Sequence, residues 1–173
     1  MSAYNSLVAL DTEVEMAWAN VESAYQRRAD LIPNLVETVK GARDFEQETL
    51  TEITKLRSEA GQAKVQVDSA ASPEQLATAA SSMDSVLSRL LVIVENYPEL
   101  KSNENFLSLQ DELAGTENRI KIERDRYNKA VRDYNRKVRS FPANIVASMF
   151  GFEPRESFSA SPGAEEAPKV GFN

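Results

Sequence analysis

Near the start of the chain the apolar positions are Leu7, Leu10, Val14, Ala17, Val21 and Ala24, alternately three and four residues apart. This is the spacing of a heptad seam, and Trp18 and Tyr25 widen the stripe, so it predicts a helix over about residues 3–29 with Trp18 largely buried near its middle. Asp30 is placed to cap a following helix by accepting the amide of Ile32, and Pro33 then falls in a first turn, where its missing N–H does least harm. A tight break at Ala29–Pro33 follows, with a helix kinked at Pro33 as the alternative.

Ile32, Leu35, Val39, Ala42, Phe45, Ile53, Leu56, Ala60 and Ala63 carry a second helix across Gly41 and Gly61 to about Lys64, and a loop spans Val65 to Ala71. Ser72-Pro73-Glu74-Gln75 combines an N-cap serine, a proline at the first helical position and a glutamine three residues after the cap. The third helix starts there, runs on Leu76, Ala80, Met83, Leu87, Leu90 and Val94, and stops at Tyr97 because Pro98 forces that residue out of helical geometry. After a turn from Tyr97 to Asn103, a fourth helix extends from about Glu104 to Arg139, ended by Phe141-Pro142. Ile145, Val146, Met149, Phe150 and Phe152 form a short amphipathic segment, and the Ser/Pro/Gly/Ala/Glu-rich stretch after Pro154 lacks the apolar surface to order itself.

Long helices joined by short links predict an all-α fold, an antiparallel up-and-down four-helix bundle. The bundle domain is expected over residues 1–152, with a disordered tail over 153–173. At about 1.5 Å per residue, helices two and four would be about 50 Å long and helices one and three about 40 Å, leaving helix one short at its N-terminal end. The turns at Ala29–Pro33 and Tyr97–Asn103 would share one end, and the N-terminus would share the other with the end of helix four.

Composition narrows the chemistry. The chain has 173 residues with no Cys and no His, which excludes disulfides, thiolate catalysis, zinc-thiolate sites and the serine–histidine triad. With 20 Lys+Arg against 27 Asp+Glu, the net charge is −7, which disfavours wholesale binding to nucleic acid. No run reaches the ~18 apolar residues of a membrane span, and Met1-Ser2-Ala3 carries no leader features, so the chain as it stands is expected to be soluble.

Several motifs together resemble the LemA family: Tyr4-Asn5 with Leu7-Val8, Ala17-Trp18, Arg27-Arg28-Ala29-Asp30-Leu31-Ile32-Pro33-Asn34, Tyr97-Pro98 with Leu100-Lys101, and Thr116-Glu117-Asn118-Arg119-Ile120. The likeness continues through Arg124, Tyr127-Asn128, Tyr134-Asn135 and Phe141-Pro142 to Phe152. The resemblance implies a helical bundle tethered by one N-terminal membrane helix directly before the Tyr-Asn motif, and it implies no enzyme activity and no cofactor. That anchor is absent from this chain. Either the chain starts at a truncation or it is a naturally soluble member, and the short helix one expected above favours truncation.

The expected function is a non-enzymatic, membrane-associated scaffold or adaptor with a protein partner not identified by sequence. A ligand-sensing module is the alternative, binding a small anion or peptide at a site formed by Arg27, Arg28, Asp30, Asn34 and Tyr97, since a guanidinium fork suits carboxylate or phosphate. Intramolecular ion pairs and a helix cap are the competing account of the same residues. Glu46, Glu117 and Arg124 lie on or beside the seam and call for interhelical partners; without His, only a hard-cation site remains, and no metal is expected. Tyr127 and Tyr134 share a helix face as buried phenols with hydrogen-bond partners. Residues 116–139 hold nine basic and four acidic side chains. Arg132, Arg136, Lys137 and Arg139, with Ile145, Met149 and Phe150, are therefore the candidate surface for an anionic membrane, against intramolecular charge complementarity and packing onto the bundle end.

Overall fold

The fold is all-α, and the structure, a computed structural model, describes residues 2–159. Its elements are α1 (Ser2–Gly41), α2 (Gln47–Ser69), α3 (Pro73–Glu95), a 3-10 turn (Pro98–Ser102), α4 (Glu104–Arg139) and α5 (Ala143–Phe150), with no strand among the described residues. The part of the expected tail from 160 to 173 lies outside the described residues.

The expected break at Ala29–Pro33 does not occur: α1 runs through Pro33 to Gly41. An interior proline costs about 3 kcal/mol by deleting a backbone bond and crowding the preceding turn. Here it lies among Leu31, Ile32, Leu35, Val36 and Val39, all buried, and burying each such side chain contributes about 1.5–3 kcal/mol. Burial on both sides therefore offsets the proline. The chain turns instead over Ala42–Glu46, directly after Gly41. At the other end of the hairpin, α2 continues to Ser69, so the loop expected over Val65–Ala71 shrinks to three residues. Ser72 caps α3 as expected, its Oγ accepting from the Gln75 amide at 3.2 Å, while Gln75 Oε1 accepts from the Ala71 amide at 2.8 Å. Asn103 caps α4 in the same way through the Phe106 amide.

These shifts reverse the expected lengths. With 40 and 36 residues, α1 and α4 are about 60 and 54 Å long, whereas α2 and α3, with 23 each, are about 35 Å. Helix one is the longest element, so the inference of a missing N-terminal length falls. α1 touches every other α-helix. Glu37 pairs with Arg57 and Asp30 with Lys64 on α2, while Arg27 pairs with Glu112 on α4. Arg89 joins α3 to Glu52 and Glu59 of α2 at 2.5 and 2.6 Å.

The N-terminal halves of α1 and the C-terminal half of α4 extend beyond the α2–α3 hairpin, and their seam there needs another cover. α5 supplies part of it by burying Ala143 and Ala147. Gly151, at φ 74°, then reverses the chain: the Phe152 amide bonds back to the Ala147 carbonyl at 2.9 Å, a Schellman ending that needs a residue free of the Cβ clash. Residues 153–159, expected to begin the disordered tail, instead lie along α4 and bury Phe158 in the core. α3 is long and apolar enough to cross a bilayer by length and composition, but it puts Leu76, Ala79, Met83, Val86, Leu90 and Val94 into this core.

Candidate functional site

Because Pro33 does not break α1, the residues expected to surround a turn lie in mid-helix. Arg28 is buried at 6% exposure, and its guanidinium reaches Asp84 of α3 and Glu117 of α4, the latter at 3.1 Å. One side chain thereby ties three helices, although its buried Nε has no hydrogen-bond partner among the described residues. Arg27 pairs with Glu112 at 2.6 Å, and Asp30, rather than capping a helix, pairs with Lys64 at 2.7 Å. Asn34 is exposed on α1.

Tyr97 is not with them. It lies at the hairpin end near the Ala42–Glu46 turn, about 20 Å up α1 from Arg28 by helical rise. Its ring meets Phe45 edge-on with centroids 5.1 Å apart, the Arg43 guanidinium sits 4.4 Å above it, and its hydroxyl donates to Glu46 at 2.6 Å. That hydrogen bond holds the Glu46 carboxyl below its usual range. Arg43 also pairs with Glu99, closing this end of the molecule. The expected five-residue ligand site is thus divided between two places, and its charged members already have intramolecular partners.

At the opposite end, α5 presents the residues that the sequence pattern singled out. Ile145, Met149 and Phe150 are 53%, 74% and 60% exposed, and Phe141 just before α5 is 81% exposed. Ala143 and Ala147 are buried and Val146 packs partly against the core, while Ile145 and Met149 are turned to the surface. Tyr4 of α1 packs on Phe150 and Phe152, with ring centroids 4.8 and 5.9 Å apart. Arg132, Arg136 and Arg139 are exposed at the end of α4 and Lys137 is half-buried; Arg136 also pairs with Asp133. Basic side chains in a last turn suit the helix dipole as well.

The third feature is the contact between α4 and residues 153–159. Asn135 Oδ1 accepts from the Arg155 amide at 2.8 Å and its Nδ2 donates to the Arg155 carbonyl at 2.9 Å. Asn128 repeats this with Phe158, at 2.8 and 3.2 Å. Between them the Tyr127 hydroxyl donates to the Glu156 carbonyl at 2.8 Å, and beyond them Arg124 donates to the Ser159 carbonyl at 3.1 Å. The Arg155 side chain reaches Asp11 at 2.9 Å. Phe158 is 3% exposed, stacked near Trp18 and Tyr25 and edge-on to Tyr127, with the Arg124 guanidinium 4.8 Å from its ring. Burial pushes the phenols of Tyr25, Tyr127 and Tyr134 up. The Tyr127-Asn128 and Tyr134-Asn135 repeat is legible in the sequence, but what it holds is not. Trp18, expected to be largely buried, is half-buried on this face.

One buried charge escaped the sequence pattern. Glu123 is fully buried between Arg119 and Arg126, which reach its Oε1 at 2.9 and 3.1 Å, while its Oε2 has no partner among the described residues. Its place between Ile120 and Tyr127 continues the seam spacing, and that was the available signal. No cluster of three or more acidic side chains that could hold a metal ion occurs among the described residues.

A comparison with known families matches the LemA family over residues 17–172. The chain is similar to the protein LemA of Metamycoplasma hominis, at 29% identity over 91% of this chain and 69% of that protein. It is also similar to magnetosome protein MamQ 2 of Paramagnetospirillum magneticum and to magnetosome protein MamQ of Magnetospirillum gryphiswaldense, each at 25% identity over 94% of this chain and 66% of the relative. The chain spans about two thirds of the length of these curated bacterial relatives.

Proposed function

We propose that this chain, which belongs to the LemA family, is a non-enzymatic helical scaffold that sits on a membrane by its α5 end and offers the rest of its length to a protein partner. An antiparallel up-and-down bundle underlies the proposal, supported by the cross-helix pairs Glu37–Arg57 and Asp30–Lys64 and by Trp18 facing Tyr127. The carrying observation is the packing of α5, which buries Ala143 and Ala147 and leaves Ile145, Met149 and Phe150 more than half exposed, a few residues after Arg136, Lys137 and Arg139 in the chain. Apolar side chains suit the acyl boundary, and basic ones the phosphates above it, each worth roughly 1 kcal/mol near an anionic surface. The name of the MamQ relatives refers to a magnetosome rather than to a reaction, which agrees with a scaffold. The pairing of Arg27, Arg28 and Asp30 within the protein weighs against the ligand-sensing alternative.

Co-sedimentation with vesicles tests this. The chain is expected to bind anionic vesicles more than neutral ones, and less at high salt. Replacing Arg136, Lys137 and Arg139 by Gln should remove the lipid-charge preference, and Ile145→Ser with Met149→Ser should lower recovery on both lipids. Equal recovery of all three proteins on both vesicles would reduce the basic stripe and the α5 face to features of the protein surface.

A further inference from the structure

Asn128 and Asn135 lie seven residues apart on one helix face, about 10.5 Å along α4. Arg155 and Phe158, three residues apart in extended chain, span about 10 Å. The two repeats are commensurate, so each asparagine meets one residue's backbone, accepting from its N–H and donating to its C=O. With Tyr127 and Arg124 on the carbonyls of Glu156 and Ser159, the groove holds the segment chiefly through its main chain. Side chains are read at two positions only, by Asp11 at Arg155 and by the Trp18–Tyr25–Tyr127 pocket at Phe158. Glu153, Pro154, Glu156 and Ser157 are exposed.

None of these contacts requires the segment to belong to the same chain. We propose that the groove is a binding site for an extended segment of a partner protein that carries a cationic residue three positions before an aromatic one, and that residues 153–159 occupy it in cis as a competitor. The proposal gives the scaffold a way to engage its partner and rests on that reading for its use, although its test needs no membrane. A second copy of this chain fits less well. Only Gly151 to Pro154 separate α5 from Arg155, about 14 Å at full extension, too little to reach another molecule's groove while α5 stays packed. A tethered segment has a millimolar effective concentration, so the intact protein would admit the partner weakly until its own segment is displaced.

The probe is a labelled peptide with the sequence of residues 152–159, Phe-Glu-Pro-Arg-Glu-Ser-Phe-Ser. The full chain carrying Phe158→Ala, with its helical circular dichroism retained, is expected to bind this peptide at least tenfold more tightly than the unaltered chain. Adding Asn128→Ala and Asn135→Ala should abolish binding, as should alanine at the peptide's arginine or second phenylalanine. Trp18, the single tryptophan, should shift its emission to longer wavelength in Phe158→Ala and return when the peptide binds. A folded Phe158→Ala chain that ignores the peptide, or binds it regardless of the asparagines, overturns the proposal. If that variant does not fold, amide exchange on the unaltered chain decides: millimolar peptide should speed exchange at Arg155 and Phe158, and unchanged exchange overturns it. A concentration-dependent dimer with exchanged segments, seen by light scattering, assigns the groove to a second copy and overturns the partner reading. Vesicle binding is unaffected by any of these results, so the two proposals fail separately.

Discussion

Replacing Arg28 separates the two things its side chain does, which are to fill space between three helices and to carry a charge there. Removing one partner of a fully buried ion pair costs about 3–5 kcal/mol, because the other charge is left dry. Asp84 and Glu117 are not in that position: their side chains are 59% and 54% exposed, so each regains water when the guanidinium goes. Partly exposed pairs contribute only about 0.2–1 kcal/mol each. The buried stem, of which alanine removes two methylenes at about 0.8 kcal/mol each and leaves their cavity, is therefore the larger loss. Against it stands relief of the unpartnered Nε, a buried donor costing about 1–3 kcal/mol. Arg28→Ala is expected to destabilise by about 2 kcal/mol, and Arg28→Met, which keeps the stem, to remain within about 1 kcal/mol of the parent. Urea unfolding followed by circular dichroism, with unchanged m-values, reads both. A methionine variant as costly as the alanine variant, or costlier, would refute the reasoning, since the charge pairs rather than the packed stem would then hold the helices.

The caps and turns are testable in the same assay. Ser72→Ala should cost about 1 kcal/mol through the freed Gln75 amide, and a neutral result would mean the cap is idle. Gly151→Ala should cost about 1–2 kcal/mol because its φ of 74° strains any residue with a Cβ, and it should loosen residues 153–159, shifting Trp18 emission to longer wavelength. The phenols of Tyr25, Tyr127 and Tyr134 are raised by burial, so in alkali the unfolded chain loses their protons first. Stability from these groups is fully present below about pH 10 and lost as pH rises through their folded values. Unfolding free energy that stays flat or climbs from pH 9 to 11.5 would contradict this.

Local chemistry made much of this protein legible without coordinates. Ser72-Pro73 marks the start of α3 and Phe141-Pro142 the end of α4, because caps and prolines act within a few residues through groups that are always present. The heptad seam likewise identifies Leu7, Val14, Val21, Leu76, Met83, Ile120 and Val131 as core, since helical periodicity alone puts them on one face. Pro33 escaped that logic. Its cost of about 3 kcal/mol is local, but what offsets it is burial between α2 and α4, which exists only in the folded state. Gly41 was the punctuation that mattered instead. Once the turn moved there, α1 and α4 outgrew the α2–α3 hairpin and left a seam to cover. α5 and residues 153–159 take that place. The sequence of residues 153–159 is too polar to order itself, and Asn128, Asn135 and the pocket around Phe158 come from helices far away in the chain, so only the tertiary structure could decide that this segment has somewhere to bind.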